Sequence, residues 1–309
     1  MTNMRALIGG SGAPLLVEVP VPQAGPGQVR IRVAAAGVNP FDLAIADGTV
    51  ADYGVARRLE SYGLGFDAAG TVDQVGEGAG FRVGEAVIGL AARLEVPVKA
   101  QAEYVVLDAD AVAPAPRGVD PVAAATLPLN TLTAWQALDR ASLAPGGTLL
   151  VTGAAGAVGG HLVELGRLRG LRVVAVAGAA DEELVRELGA EWFVPRGEGL
   201  ADRVRAAVPG GADAAVDAAV LGLAALDAVR DGGRFVTLTA GVAPVGLRGI
   251  DVATVFFRAD PAQLREIVRL VEAGLLTPRV AGTYPLERAA EAHARLAAGG
   301  VRGRLVLTL

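Results

Sequence analysis

The stretch Thr148-Leu-Leu-Val-Thr-Gly-Ala-Ala-Gly-Ala-Val-Gly159 decides the fold of this 309-residue chain. It predicts a short apolar strand that passes through a glycine loop directly into a helix. Gly153, Gly156 and Gly159 give the spacing Gly-x-x-Gly-x-x-Gly, a variant of the dinucleotide-binding fingerprint. Glycines at these places allow a tight turn and let a pyrophosphate approach the backbone at a helix N-terminus. In a chain with 42 glycines, they can also simply permit close packing of the helix on the strand.

Strand and helix patterns alternate on the carboxyl side of this stretch. Apolar strands are predicted at 171–176, 213–217 and 234–238, and a helix at 181–188. Nearly continuous apolar strands that alternate with helices are typical of a parallel, doubly wound α/β sheet.

The first hundred or so residues show short strands separated by turns. Val29-Arg-Ile-Arg-Val33 alternates strictly between apolar and charged residues. Further strands are predicted at 70–75, 85–90 and 102–107, and this spacing favours a small, barrel-like β domain. The pattern changes near Asp120. Helical spacing follows at 121–141 and again at 261–274, and a strand is predicted at 303–309.

The composition excludes several classes of protein. A hydrophobic fraction of 52% with 20% charged residues indicates a globular chain. The absence of cysteine excludes disulfides, thiolate catalysis and sulfur-ligated zinc, and the two histidines, His161 and His293, are far apart, so we expect no metal. A net charge of −5 argues against nucleic acid as a partner. We find no signal peptide or membrane segment and therefore expect a soluble, cytoplasmic protein that acts on a small-molecule substrate.

Several further stretches resemble one known family. They are Ala36-Gly-Val-Asn-Pro-Phe-Asp42, Gly65-Phe-Asp-Ala-Ala-Gly70, Leu127-Pro-Leu-Asn-Thr-Leu-Thr-Ala-Trp135, the glycine loop, Leu188-Gly-Ala190, Phe256-Phe257 and Arg302-Gly-Arg-Leu-Val306. Over nearly its whole length the chain resembles the zinc-free medium-chain dehydrogenase/reductases of the quinone oxidoreductase and enoyl reductase group. The resemblance implies a GroES-like, β-rich substrate domain at 1–120 and 258–309. A Rossmann domain at 121–257 is inserted between these segments, and a cleft separates the two domains.

The resemblance also implies an activity. Such proteins are usually homodimers and reduce quinones or α,β-unsaturated carbonyls by hydride transfer from NADPH or NADH. Carried onto this chain, it implies the following cofactor-binding residues: Asn39, Thr133, Gly153, Ala154, Ala155, Gly156, Ala157, Val158, Gly159, Gly178, Arg196, Phe256 and Phe257. The glycine loop would lie under the pyrophosphate, and Phe256-Phe257 along the nicotinamide end.

Two residues are candidates for catalysis. The amide of Asn39 can donate to a carbonyl oxygen as enolate charge develops, but an Asn before Pro40 can equally stabilise a turn. Tyr53 can supply a proton, as can Tyr62, although ordinary half-buried tyrosines are the alternative for both. Asp67 lies in a glycine-flanked turn and is interpreted as structural.

The position that would meet the adenosine ribose departs from the family pattern. Ala177-Gly-Ala-Ala180 and Asp181-Glu-Glu183 offer no basic residue for an NADP phosphate, and the carboxylates would repel one. Arg196 stands about where the family often presents a tyrosine to this phosphate and can replace the missing base, although an ordinary surface arginine is the alternative. The cofactor is therefore left open between NADH and NADPH. A non-redox alternative is also left open, namely a cyclase, isomerase or conjugate-addition enzyme with weakened or lost cofactor binding. A non-catalytic binding protein is a third class, but the glycine loop speaks against it.

The histidines have ordinary interpretations. His161 is expected to pack within the helix after the glycine loop. His293 is expected on a surface-like helix.

Overall fold

The structure of the protein is a computed structural model, which describes residues 2–10, 12–52, 54–239 and 241–309. The chain forms two compact units: unit 1 is Met1–Leu132 with Arg258–Leu309, and unit 2 is Thr133–Phe257. The family resemblance implied divisions at 120/121 and 257/258.

The strands and helices are numbered in chain order. The strands are β1 (Asn3–Gly9), β2 (Leu15–Pro20), β3 (Gln28–Val38), β4 (Tyr62–Gly63), β5 (Asp67–Val75), β6 (Ala86–Leu90), β7 (Tyr104–Asp108), β8 (Val112–Pro114), β9 (Thr148–Thr152), β10 (Arg172–Ala177), β11 (Trp192–Pro195), β12 (Ala212–Asp217), β13 (Val229–Thr237), β14 (Asp251–Thr254), β15 (Val280–Pro285) and β16 (Arg304–Thr308). The helices are α1 (Pro40–Ala46), α2 (Thr49–Asp52), α3 (Pro121–Ala124), α4 (Pro128–Ala141), α5 (Ala157–Leu168), α6 (Glu182–Glu187), α7 (Leu200–Ala207), α8 (Leu223–Leu226), α9 (Pro261–Glu272) and α10 (Ala289–Ala297).

Unit 1 is β-rich, as the sequence predicted. Its larger sheet has the order β15-β16-β3-β5-β6-β8, with β7 also paired to β3, and a smaller sheet has the order β2-β1-β4. β16 runs antiparallel to β3, with Leu305 opposite Val38, so the carboxyl-terminal segment completes the sheet that the amino-terminal segment begins. Val29, Ile31 and Val33 alternate into the core of this unit, which explains the alternation in the sequence.

Unit 2 contains the parallel sheet that the alternating pattern predicted. The strand order is β11-β10-β9-β12-β13-β14, and every neighbouring pair is parallel. β9 is buried along its whole length, because helices cover both faces of a doubly wound sheet. The core includes Leu150, Val174 and Phe235. β9 and the helix that follows it are observed where the sequence places them.

The helical stretch predicted at 121–141 is two helices. α3 ends at Ala124 and α4 begins at Pro128. Proline has no N–H group and its ring collides with the carbonyl four residues earlier, so a helix cannot run through this position but can begin there. The division between the two units falls within α4, after Leu132.

In the part of the chain that the structure describes, no helix is both long enough and apolar enough to cross a membrane.

Candidate functional site

The glycine loop of unit 2 connects β9 to α5. Gly153 follows the last residue of β9 and has φ of +61°, a left-handed conformation that glycine adopts without strain. The amide of Gly156 donates to the carbonyl of Gly153 over 2.8 Å, which closes the turn. A Cβ at Gly159 would lie 2.0 Å from that same carbonyl oxygen. Two of the three glycines are thus required by the turn itself.

Gly156 differs from its two neighbours in the motif. It is the N-cap of α5, with φ of −73° and ψ of 177°, which any L-residue can adopt. A Cβ there would meet only the Gly153 carbonyl oxygen, at 3.1 Å. The turn therefore tolerates a small side chain at 156, whereas a ligand approaching the start of α5 would not. This cradle of small residues before a twelve-residue helix fits a pyrophosphate, since the helix start presents N–H donors and the positive end of its dipole.

The other loop residues that were predicted to bind the cofactor lie around this turn. Ala154 is buried and its amide donates to the carbonyl of Val176 over 3.0 Å, which joins the loop to β10. Ala155 is also buried, while Ala157 and Val158 form the first turn of α5 and are partly exposed.

Asp217 at the end of β12 fixes the loop beside this turn. Its carboxylate accepts from Thr152 Oγ1 at 2.5 Å and from the amides of Leu221 and Gly222 at 3.1 and 2.8 Å. Asp213, at the other end of β12, instead accepts from Arg230 and from the amide of Thr148. These two carboxylates therefore do not form an acid/base pair.

The end of β10 carries the charges that would meet the adenosine ribose. Asp181 accepts from the amide of Gly178 at 3.1 Å, so one of its carboxylate oxygens is committed to closing the turn. The amide of Arg196 donates to the carbonyl of Ala177 over 2.7 Å, which places Arg196 directly beside this turn. Its side chain is exposed and forms no ion pair with any residue that the structure describes. An exposed cation and a carboxylate that accepts a hydrogen bond thus lie at the same turn.

Phe256 and Phe257 follow β14 and leave the sheet at the same edge as the glycine loop, because all its strands are parallel. β14 is three strands from β9, about 14 Å at the usual strand spacing. The side chain of Phe256 is 69% exposed. Thr133 lies in α4 and is 8% exposed, so little of it is available to a ligand in this structure.

Asn39 caps the first helix of unit 1 and is completely buried. Its side-chain amide donates to Asp67 Oδ2 at 2.9 Å and weakly to Asp42 Oδ2 at 3.4 Å, while its backbone N–H donates to Asp42 Oδ2 at 2.8 Å. Both amide hydrogens thus point at carboxylates. This arrangement favours the turn-stabilising interpretation of Asn39 over donation to a substrate carbonyl.

The two tyrosine candidates have different outcomes. Tyr53 lies outside the described residues. Tyr62 is 1% exposed; its hydroxyl donates to the carbonyl of Arg57 and accepts from the amide of Leu59. Its phenol therefore holds the segment before β4 in place.

Asp67 is the centre of a buried polar cluster in unit 1. Besides the Asn39 amide, it accepts from the backbone N–H of Leu129 at 2.6 Å. Arg304 is also buried and donates to the carbonyl of Val38 at 3.0 Å, and its charge favours the ionised form of Asp67. Burial nevertheless raises the pKa of Asp67. These contacts agree with the structural role that the sequence suggested for Asp67, but the predicted turn is wrong, because Asp67 is the first residue of strand β5.

Lys99 belongs to the same cluster, and sequence reasoning missed it. It is 1% exposed, and its Nζ lies 3.3 Å from the centroid of the Phe66 ring. Burial lowers the pKa of Lys99 to about 7, although the charges of Asp42 and Asp67 act in the opposite direction. The sequence does offer one signal for Lys99. It is the only lysine of the chain, and it lies in the apolar stretch Val96-Pro-Val-Lys-Ala100. We call Asn39, Asp42, Asp67, Lys99 and Arg304 the Lys99 cluster.

The histidines show one confirmed expectation and one error. His161 is 1% exposed within α5 and its Nδ1 lies 3.1 Å from Glu164 Oε2, so it packs in the helix as expected. The expectation that His293 lies on a surface-like helix is wrong. His293 is 3% exposed, and its Nε2 lies 3.2 Å from Oε1 of Gln101. α10 packs against α1 and the larger sheet, a contact that the local sequence does not encode.

Burial of His293 predicts a loss of stability in acid. Burial lowers the pKa of His293 to about 4, against 6.5 for the exposed side chain. Between these values the unfolded chain binds the proton and the folded chain does not, so stability falls as the pH drops from 6.5 to 4. The His293→Gln variant keeps a hydrogen-bonding group but does not titrate. Between pH 6.5 and pH 4, its free energy of unfolding is expected to fall by about 3 kcal/mol less than that of the wild type. Urea titrations at several pH values measure this, and parallel curves for the two proteins would contradict it.

The residues of the cluster do not fit a zinc ion. The chain has no cysteine, and the described residues contain no group of three or more His, Asp or Glu side chains placed to hold a metal. The cluster instead contains two cations, Lys99 and Arg304, and its carboxylates already accept hydrogen bonds from the protein.

Comparison with known proteins identifies related chains. Residues 25–117 match the family model "Alcohol dehydrogenase GroES-like domain", and residues 180–307 match "Zinc-binding dehydrogenase". A solved structure described as an NAD-dependent alcohol dehydrogenase is 31% identical, with a TM-score of 0.87 over 99% of this chain and 100% of that one.

Three curated relatives are also similar. The human quinone oxidoreductase is 28% identical over 95% of this chain and 92% of its own. The chloroplastic NADPH-dependent alkenal/one oxidoreductase of Arabidopsis thaliana is 29% identical over 94% and 74%. The spectinabilin polyketide synthase system protein NorB of Streptomyces orinoci is 35% identical over 97% of this chain, which spans only 14% of that protein. These matches and the two-unit fold show that the chain belongs to the medium-chain dehydrogenase/reductase family, which includes the quinone oxidoreductases.

Proposed function

We propose that the protein is an NADPH-dependent, zinc-independent oxidoreductase that reduces a quinone or an α,β-unsaturated carbonyl compound. The observation that carries this proposal is the glycine cradle at the start of α5. Gly153 and Gly159 are required by the turn, whereas Gly156 is free of such a requirement and leaves the helix start open to a pyrophosphate. The names of two relatives, a quinone oxidoreductase and an alkenal/one oxidoreductase, support the substrate class.

The chain's own residues would bind and orient. The start of α5 holds the pyrophosphate, and the residues after β14 lie about 14 Å along the same sheet edge, a distance that suits an extended dinucleotide. A reduced nicotinamide supplies a hydride when bound. The contribution of the protein to the rate is then to hold the acceptor carbon in reach and to exclude water.

The preference for NADPH rests on Arg196. Arg196 is exposed and its backbone lies beside the turn at Gly178, while Asp181 accepts a hydrogen bond from the amide of Gly178. An exposed cation next to the ribose end favours a 2′-phosphate over a free hydroxyl.

Substitution of Arg196 tests this preference. We expect Arg196→Ala to weaken NADPH binding by about 10-fold, a loss typical of one exposed charge-assisted contact, and to leave NADH binding unchanged. Arg172→Ala is the matched control, because Arg172 lies at the opposite end of β10 and pairs with Glu191. Calorimetric titration with both nucleotides measures the effect. An equal loss for NADH and NADPH would contradict the assignment of the phosphate to Arg196.

The reaction itself is tested by oxidation of NADPH in the presence of a simple quinone and a conjugated enone. We expect turnover that depends on the acceptor and survives prolonged treatment with a metal chelator. A complete loss of activity after chelation, with recovery on addition of zinc, would contradict the zinc-independent assignment.

A further inference from the structure

Strand β15 forms one edge of the larger sheet of unit 1. It pairs with β16 on one side, and in the part of the chain that the structure describes no strand pairs with its other side. Its sequence, Val280-Ala-Gly-Thr-Tyr-Pro285, carries no charge, although charged side chains commonly prevent an edge strand from pairing further. The backbone groups on the outer side of β15 are therefore free to pair with an extended chain.

A cavity of about 360 Å³ lies against this strand. Its apolar lining comes from Val280 and Tyr284 on β15, Leu305 on β16 and Val301 in the loop between α10 and β16. All of these residues belong to unit 1. The volume lies at the small end of the usual range for ligand sites, about 300–1,000 Å³.

Gly282 keeps space open beside this cavity. A Cβ at this position would meet Leu305 Cδ2 at 3.4 Å and Tyr284 Cε2 at 3.9 Å, which are ordinary van der Waals distances. The backbone of Gly282 is not left-handed, so the strand itself does not require glycine here. A longer side chain at 282 would therefore fit the strand but extend between two residues that line the cavity.

The rim of the cavity is cationic. Arg295 on α10 and Arg302 in the loop before β16 both line the cavity, and both are exposed. The backbone amides of Gly300 and Val301 donate to no backbone carbonyl among the described residues. Arginine binds a carboxylate through two parallel hydrogen bonds, and free amides add further donors. The rim therefore favours a carboxylate.

The charge of the surrounding segment agrees with this preference. Residues 275–309 contain five arginines and two glutamates, although the whole chain has a net charge of −5. Both glutamates already pair with arginines, Glu287 with Arg5 and Glu291 with Arg288. An anionic ligand thus meets a local excess of positive charge at this edge.

The arginine rim lies at the amino-terminal end of β15. The amide of Arg304 donates to the carbonyl of Arg279, directly before β15, over 2.8 Å. A Cβ at Gly303, the neighbour of Arg302, would lie 2.6 Å from that same carbonyl oxygen. A strand that adds to β15 in the antiparallel direction ends at this point, so its terminal carboxylate would reach the rim.

We propose that β15 and this cavity bind the carboxyl-terminal end of an extended peptide whose last side chain is apolar. The peptide adds to the free edge of β15 as an antiparallel strand. Its last side chain enters the cavity, and its carboxylate meets Arg295 and Arg302. A small free carboxylate would use the arginines but leave the strand edge unpaired, which is why the geometry favours a peptide. None of these residues belongs to the proposed nucleotide site.

The binding test uses the peptide Ser-Val-Thr-Val-Thr-Leu with a free carboxylate and a fluorescent label on its amino terminus. We expect fluorescence anisotropy to give a Kd of about 10–100 µM. The same peptide with a terminal amide should bind at least about 10-fold more weakly, because it lacks the charge. Two further peptides carry N-methyl groups on the valines or on the threonines. Alternate N–H groups of an added strand face its partner, so one of the two should lose at least about 10-fold in affinity.

Variants of the protein locate the site. Arg295→Gln should weaken binding of the free-carboxylate peptide by about 10-fold and leave the amidated peptide unaffected. Arg265→Gln is the matched control, because Arg265 is exposed on α9 and does not line the cavity. Gly282→Leu should abolish binding by filling the cavity. Thermal unfolding shows whether each variant is folded, and the comparison of the peptides does not depend on any variant.

Several results would overturn the peptide site. They are no binding of the free-carboxylate peptide, equal binding of its amide, or full affinity of both N-methylated peptides. Displacement of the peptide by 4-methylpentanoate at the same affinity would show a site for small carboxylates instead. These measurements need neither nucleotide nor turnover. Failure of the peptide site therefore leaves the proposed reductase activity standing, and an inactive enzyme leaves the peptide site standing.

Discussion

Replacement of Asp67 by alanine is expected to lower the free energy of unfolding by about 3–5 kcal/mol, the range for breaking a buried charged network by removing one member. The substitution leaves the Asn39 amide and the backbone N–H of Leu129 without their acceptor. It also leaves the buried guanidinium of Arg304 with one neighbouring carboxylate fewer. Urea denaturation of the purified variant measures the loss.

Asp73→Ala is the control for this prediction. Asp73 lies on the same strand, β5, and pairs with Arg30, but both side chains are partly exposed. Solvent-accessible ion pairs contribute about 0–1 kcal/mol, so we expect a much smaller loss. Equal losses for the two variants would show that the Lys99 cluster adds no more to stability than an ordinary surface pair.

The second large effect is expected in the glycine loop. Gly156→Val places two methyl groups at the start of α5, where the pyrophosphate would lie, and should weaken NADPH binding by at least about 100-fold, or roughly 2.7 kcal/mol. The backbone at 156 accepts an L-residue, so the stability should fall by only about 1 kcal/mol, the usual cost of a poor N-cap. Calorimetry and thermal unfolding measure the two quantities.

Gly159→Ala is the matched comparison, because its main effect is expected on stability and not on the space for the pyrophosphate. Its Cβ would lie 2.0 Å from the carbonyl oxygen of Gly153, so the turn itself must open. We expect a stability loss of about 3 kcal/mol, at the upper end for overpacking. A Gly156→Val variant with normal NADPH affinity would remove the basis for the nucleotide site.

The parts of the fold that the sequence predicted are those whose signal is local. β9 runs from Thr148 to Thr152 as predicted, because an uninterrupted apolar run before a glycine loop needs no distant partner to be recognised. α5 and α9 were located for the same reason, from their helical spacing. The sequence predicted one helix across Pro128 where the structure has two, although the proline itself was a local signal for a break.

The Lys99 cluster could not be predicted in this way. Its members come from α1, β5, the segment after β6 and β16, and they meet only when the chain's two ends share one sheet. Asn39 was singled out by family resemblance, yet its contacts with Asp42 and Asp67 show a buried cap whose amide is already engaged. The burial of His293 could not be predicted for the same reason, because α10 is covered by elements that are distant in sequence.

Calorimetric titration of the purified protein with NADPH and with NADH is the most direct test of the central claim, that the loop at Gly153–Gly159 binds a nicotinamide dinucleotide. We expect micromolar binding of NADPH, weaker binding of NADH, and loss of both in Gly156→Val. Binding of neither nucleotide by the folded wild type would contradict it. That result would direct the search toward a cofactor-free reaction on the same fold.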